Sequence, residues 1–201
     1  DGADAITATL RQSPDSLGQI ATLIMGADAA WGESRGPVVA NPLPSRAIVD
    51  EQSVANIIDI LSQGKKSLML LEHNAVEPAA LEAASRIAGK TGCRIMSGTF
   101  PARVDGGPGR VKLERLPYFP EHILAAFAGV ENLIIVGGQI PASFFAYQGI
   151  PSQLVPEGCT PHRLCRIEEN AIDALERVAD GLGAGADLIT RFEKHDIPKP
   201  S

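Results

Sequence analysis

Leu133-Ile134-Ile135-Val136 is an unbroken apolar run that stops at Gly137-Gly138. Four apolar residues in a row, without polar alternation, suit a strand buried on both faces. Leu68-Met69-Leu70-Leu71 repeats the pattern, and Ser67 to Leu71 reads as a second buried strand. Around these runs the apolar spacing changes to three or four. Val54, Ile57, Ile58 and Leu61 make one face of a helix that Asp50 can cap, with Ser53 close behind, and that Gly64 ends. Leu81, Ala84, Ile87 and Ala88 make a second helix, opened at Glu77-Pro78 and closed at Gly89 or Gly92. Pro120 opens a third, running through His122 to Ala128, and Glu168 to Leu182 turns Ile172, Leu175, Val178 and Ala179 inward. Cys93 to Met96, Gln153 to Val155 and His162 to Ile167 read as further short strands. Strands and helices alternating at this spacing predict an α/β fold, a parallel sheet with helices on both faces.

The flanks are less regular. Asp4 to Gln12 has helix character that Ser13-Pro14-Asp15 breaks, and Gln19 to Met25 reads as a short strand. Gly32, Gly36, Pro37, Pro42 and Pro44 make the stretch to Arg46 a linker. Thr99 to Leu116 reads as irregular. The chain does not begin with Met, and Ile197 to Ser201 carries two prolines, so a piece of a longer protein is expected.

Composition narrows the function classes. A chain of 201 residues with 44% apolar content can bury a sizeable core. The net charge is -6 and no Lys/Arg cluster offsets it, which argues against a nucleic-acid partner. No apolar run nears the roughly 18 residues of a membrane span. Three cysteines do not make a disulfide framework, so a reducing cytoplasm is the expected compartment. Aromatics are scarce at 4%, which leaves Ala, Val, Ile and Leu to build the core.

Open parallel sheets bind ligands at the carboxyl ends of their strands. Three stretches are expected there: Glu72-His73-Asn74-Ala75, Gly98 to Arg103, and Gly137-Gly138-Gln139-Ile140-Pro141. The first is no dinucleotide fingerprint, because side chains stand where three glycines would let backbone approach a pyrophosphate. A carboxylate at Glu72 also repels phosphate. Gly137 and Gly138 could let a ligand approach, or simply make a tight turn. Arg103 could meet a phosphate or carboxylate, or form an ordinary surface ion pair. Gly106-Gly107-Pro108-Gly109 lacks the Gly-Lys-Ser/Thr ending of a P-loop and reads as a loop. Cys159, His162 and Cys165 form one loose set, short of zinc spacing. His73, His122, His162 and His195 are scattered, and no Gly-x-Ser-x-Gly elbow occurs. Phe144-Phe145-Ala146-Tyr147 is the one aromatic cluster along the chain and reads equally as local packing or as an interface. The residues alone thus give no self-contained catalytic constellation.

Several strings resemble a known family. Gly18 to Ile24 followed by Ala27 to Glu33 resembles the junction where the pyrimidine-binding domain of thiamine-diphosphate enzymes leaves its last strand. Gly92 to Met96, Thr99 to Arg103, Glu114 to Glu121, Phe144 to Tyr147 and Pro151 to Gly158 resemble the middle domain of the acetolactate-synthase-like branch. The resemblance implies a Rossmann-like six-stranded parallel sheet of the NAD/FAD-binding type, as residues 50–184. It makes residues 1–31 the end of an N-terminal pyrimidine-binding domain, 32–49 a linker, and 185–201 a linker toward a C-terminal domain. The family's parent proteins are thiamine-diphosphate- and Mg²⁺-dependent transferases or lyases acting on 2-keto acids. Their cofactor attacks the keto carbon as a ylid, and decarboxylation or carboligation follows. The catalytic glutamate and the metal-diphosphate motif of the family have no counterpart here, so no catalytic or metal residue carries over, and the chain alone is expected to be inert. Expected partners are the N- and C-terminal cofactor-binding domains, in a homo-oligomer. Some members hold FAD or ADP in the middle domain, and the positions that would serve are Thr99, Arg103, Gly137 and Gly138. FAD-binding members tend to be glycine-rich at the turn that here is Glu72-His73-Asn74. The alternative is a stand-alone Rossmann-like module that binds a nucleotide or coenzyme A, or a subunit of a complex.

Overall fold

The structure is a computed structural model that describes residues 20, 22–33, 36–37, 44–145 and 148–193. The expected helix over Asp4 to Gln12 lies outside these residues, as do Tyr147 and His195. The chain divides into two compact units, Asp1–Ala47 and Ile48–Ser201. In the first, the described part holds one short helix, α1 (Ala27–Trp31). The strand expected up to Met25 is not formed: residues 22–26 have no regular structure, and Leu23, Ile24 and Met25 are exposed. A strand's backbone groups need a neighbouring strand, and none pairs with this stretch among the described residues.

The second unit opens with α2 (Glu51–Ser62). The Asp50 carboxylate accepts hydrogen bonds from Ser53 N at 2.8 Å and from its hydroxyl at 2.7 Å, which satisfies an orphan donor of the first turn. Strand β1 (Ser67–Leu71) is buried throughout. Helix α3 (Pro78–Thr91) has proline in its first turn and closes at Gly92, whose left-handed φ of 73° is costly for other residues; Gly89 lies inside the helix. Strand β2 (Arg94–Ser97) follows, then β3 (Glu114–Arg115), α4 (Pro120–Ala126) and β4 (Asn132–Val136). Strand β5 (Thr160–Cys165) and α5 (Ala171–Gly181) complete the set. The last helix starts later than its apolar spacing suggests, because the Asn170 side chain caps it by accepting from Asp173 N at 3.2 Å.

All neighbouring strands run parallel, in the order β3-β2-β1-β4-β5. That is the 3-2-1-4-5 order of doubly wound sheets, with the switch point between β1 and β4. Alternate residues of the two central strands face opposite ways. Met69, Leu71, Ile134 and Val136 pack with the apolar faces of α2, α3 and α5. Leu68, Leu70, Leu133 and Ile135 pack on the other side with Ile123 of α4, Phe127 and Leu154.

The sheet has five strands among the described residues, where six were expected. Gln153 to Val155 is not one of them. Gln153 makes only an isolated antiparallel bridge to Ala142, and Leu154 is fully buried as a plug. Flanking Pro151 and Pro156 lack the N–H groups that a ladder needs. Conversely, Glu114–Arg115 adds to β2 from within the stretch read as irregular. Both residues are exposed and polar, as suits an edge strand, so no apolar pattern announces them. The segment after α5 is also ordered against the domain as far as it is described. Thr190 N donates to Ser85 Oγ at 2.9 Å, Val111 and Arg191 form an antiparallel bridge, and Arg191 pairs with Glu82 at 2.7 Å.

Candidate functional site

The candidate site forms where β1, β2 and β4 end. Glu72 extends β1 by one residue, its N–H donating to Val136 O at 3.0 Å. His73 then turns the chain with φ at 50°, the described non-glycine residue with positive φ. A 3₁₀ turn over His73–Val76 follows, in place of a glycine-rich loop. Asn74, 4% exposed, ties this turn to the loop before α5 by donating from Nδ2 to Glu169 O at 2.8 Å.

The Glu72 side chain lies across the switch point. A methyl built on Gly98, at the end of β2, would overlap Glu72 Oε1, and one on Gly138, after β4, would overlap Oε2. Two glycines therefore make a notch that the carboxylate fills. Gly137 is needed for other reasons: its φ is 71°, and a Cβ there would stand 2.6 Å from the Glu72 carbonyl oxygen. Burial pushes the Glu72 carboxyl above its ordinary value of 4.5, against weaker pulls downward from the Gln139 N–H and from His73.

Beside the notch is a cleft of about 330 Å³. Leu70, Leu116, Ile123, Ile140 and Pro141 make most of its walls, and Glu72, Thr99 and Gln139 line it as well. Phe100 and Phe144 line it too, and both are exposed. They belong to an aromatic group with Tyr118, Phe119 and Phe145. Phe100 meets Phe144 edge-on at 5.2 Å between ring centres, and Tyr118 meets Phe145 at 5.3 Å. The sequence cluster at Phe144-Phe145 is thus half of a spatial one.

Of the sequence candidates, Thr99, Gly137 and Gly138 come together at this edge. Thr99 lines the cleft, and its hydroxyl donates to Pro117 O at 3.0 Å. Arg103 is not in the lining: its side chain is 86% exposed and pairs with Asp105 at 3.3 Å. The glycine loop at 106–109 is held from the chain's far end, with Gly109 N donating to Phe192 O at 2.8 Å. His162 Nε2 lies 3.0 Å from Asn132 Oδ1, and burial pushes its pKa down. Burial pushes the Cys93 thiol up to about 12. The pairing of Gly98 and Gly138 around Glu72 was missed in the sequence. Its signal was available: one glycine follows each of the two strands that flank β1.

The fit of the family's cofactors can be tested on these residues. A nucleotide phosphate at the first turn would meet a carboxylate wedged into the glycine notch, so FAD or ADP does not fit as the side chains stand. Among the described residues no group of three His, Cys, Asp or Glu side chains could hold a metal ion. No helix of the described residues is long and apolar enough to cross a membrane.

No family model matches the chain. It is 39% identical over 184 residues to the Mycobacterium tuberculosis protein named "Putative acetolactate synthase large subunit IlvX", covering 92% of this chain and 35% of that one. A solved structure from Mycobacterium smegmatis, described as "a putative thiamin diphosphate-dependent enzyme", superimposes with a TM-score of 0.52 at 18% identity, covering 84% of this chain and 33% of that one. A 4-hydroxybenzoylformate decarboxylase from Rhodococcus jostii RHA1 gives 0.47 at 13% identity, over 99% and 38%. The chain is therefore related to the acetolactate synthase large subunit of the thiamine-diphosphate-dependent enzymes, and it spans about a third of that relative's length.

Proposed function

We propose that the chain is the central domain of a thiamine-diphosphate-dependent enzyme acting on a 2-keto acid, as an acetolactate-synthase-like decarboxylase or carboligase. The observation that carries this is the 39% identity running over 92% of the chain. The five-stranded parallel sheet in 3-2-1-4-5 order supports the Rossmann-like assignment. In this reading residues 50–184 are the domain proper, residues 1–31 end a pyrimidine-binding domain, and 32–49 and 185–201 are connections. Thiamine diphosphate and Mg²⁺ are held by other domains of the parent, a homo-oligomer. The domain spaces and orients those domains, and no step of the chemistry falls to its described residues. Glu72 in the glycine notch argues against the alternative of a nucleotide- or coenzyme A-binding module.

The test is to read the gene on both sides of this segment and assay its whole product for CO₂ release from pyruvate with thiamine diphosphate and Mg²⁺. Flanking domains with the metal-diphosphate motif, and release that stops when the cofactor is omitted, are expected. A gene that encodes only this segment, or a whole product inert on every 2-keto acid tried, would overturn the proposal.

A further inference from the structure

The geometry points to the cleft over Glu72 as a binding site for a planar cation, an amidinium or guanidinium carried on a small apolar body. Among the described residues Glu72 is the only ionisable side chain in the cleft lining. No described cation pairs with it across the cleft, and the charge that acts on it belongs to His73, outside the lining. Its carboxylate is half-buried between two glycine backbones, and the Gln139 N–H is its one hydrogen-bonding influence. A carboxylate accepts up to about four hydrogen bonds, so acceptor capacity remains open toward the cleft. An uncompensated charge between carbon walls is unfavourable until an opposite charge with matching donors arrives.

The rest of the lining selects the shape. Leu70, Leu116, Ile123 and Ile140 offer no donors, the Thr99 hydroxyl is spent on Pro117 O, and the neutral Gln139 amide is the other polar side chain of the lining. A flat head group with two parallel N–H donors meets a carboxylate as a fork. Its apolar body fills the carbon-walled space, and at about 330 Å³ that space is at the small end of ligand pockets. Phe100 and Phe144, 65% and 58% exposed, also line the cleft, and aromatic rings favour cations over their faces. The Glu72 carboxylate repels phosphates and carboxylates from the same space.

Benzamidine is the probe, with benzoate and benzyl alcohol as the anionic and neutral rings of similar size. Amide chemical shifts and calorimetry on the whole 201-residue chain give the readout. Benzamidine should move the Gly98, Gly138 and Gln139 amides saturably, and Glu72→Gln, which keeps the shape and removes the charge, should weaken it at least tenfold. Benzyl alcohol should bind at least tenfold more weakly, and benzoate should leave those amides unmoved. The shift map on the unaltered chain keeps the test decisive if the variant does not fold. Benzamidine that leaves these amides unmoved, binds Glu72→Gln equally well, or is matched by benzoate or ADP would overturn the inference.

Discussion

Gly138→Ala places a methyl where Glu72 Oε2 stands. The obstacle is the end of a flexible side chain, and Gly138 itself is not left-handed, so the carboxylate can swing into the cleft. What is lost is the seat of one half-buried polar group, about 1 kcal/mol. Gly137→Ala is a different case. Its φ of 71° costs a side chain roughly 1–2 kcal/mol, and the Glu72 carbonyl oxygen at 2.6 Å adds about 1–3 kcal/mol of overpacking. The Glu72→Ala background separates the two. There Gly138→Ala should cost almost nothing, a coupling of about 1 kcal/mol, while Gly137→Ala keeps its full cost because its obstacle is main chain. Urea midpoints of the single and double variants measure this, and each 1 kcal/mol is also worth about 2–4 °C in Tm at this size. A Gly138→Ala cost that is the same with and without the Glu72 carboxylate would refute the notch.

Other consequences follow from the same structure. The raised Glu72 pKa means that the native chain holds this proton more tightly than the unfolded chain. Its contribution is present below the ordinary value of 4.5 and is lost as pH rises through the folded value, so the stability difference between Glu72→Gln and the unaltered chain should grow as pH rises from 4.5 to the folded value and level off above it; a flat difference across that range would contradict it. Leu133→Ala removes a side chain with no exposed surface from a central strand and should cost about 2–5 kcal/mol in a urea titration. Alkylation should take Cys159 first, while Cys93, buried with its thiol near 12, and buried Cys165 react only on unfolding. Ser85→Ala removes the acceptor of Thr190 N and should cost about 1–3 kcal/mol, with faster amide exchange at Thr190, Lys112 and Phe192.

The central strands and their helices were legible because burial on both faces writes itself as unbroken apolar runs, as in Leu68 to Leu71 and Leu133 to Val136. Caps were legible for the same local reason: Asp50 with Ser53, and Pro78 and Pro120 in first turns, act within four residues. The edge was not. Glu114–Arg115 is strand only because β2 offers it a ladder, and Gln153 to Val155 has the apolar centre of a strand without a partner. The site was half legible. A carboxylate at Glu72 signalled the loss of the dinucleotide fingerprint. That Gly98 and Gly138 shape themselves to it is a contact between residues 26 and 66 positions further on, which local pattern cannot encode. Arg103, attractive as a lone cation near a strand end, instead lies exposed on Asp105.

The occupied notch is tested most directly by thermal melts of the unaltered chain with FAD and with ADP, beside melts of Glu72→Gly. A ligand that binds only the native state raises its Tm, by the equivalent of about 2.7 kcal/mol at a hundred times Kd. No rise for the unaltered chain with either nucleotide is the predicted result. A saturable rise with FAD or ADP while Glu72 is in place would contradict the account.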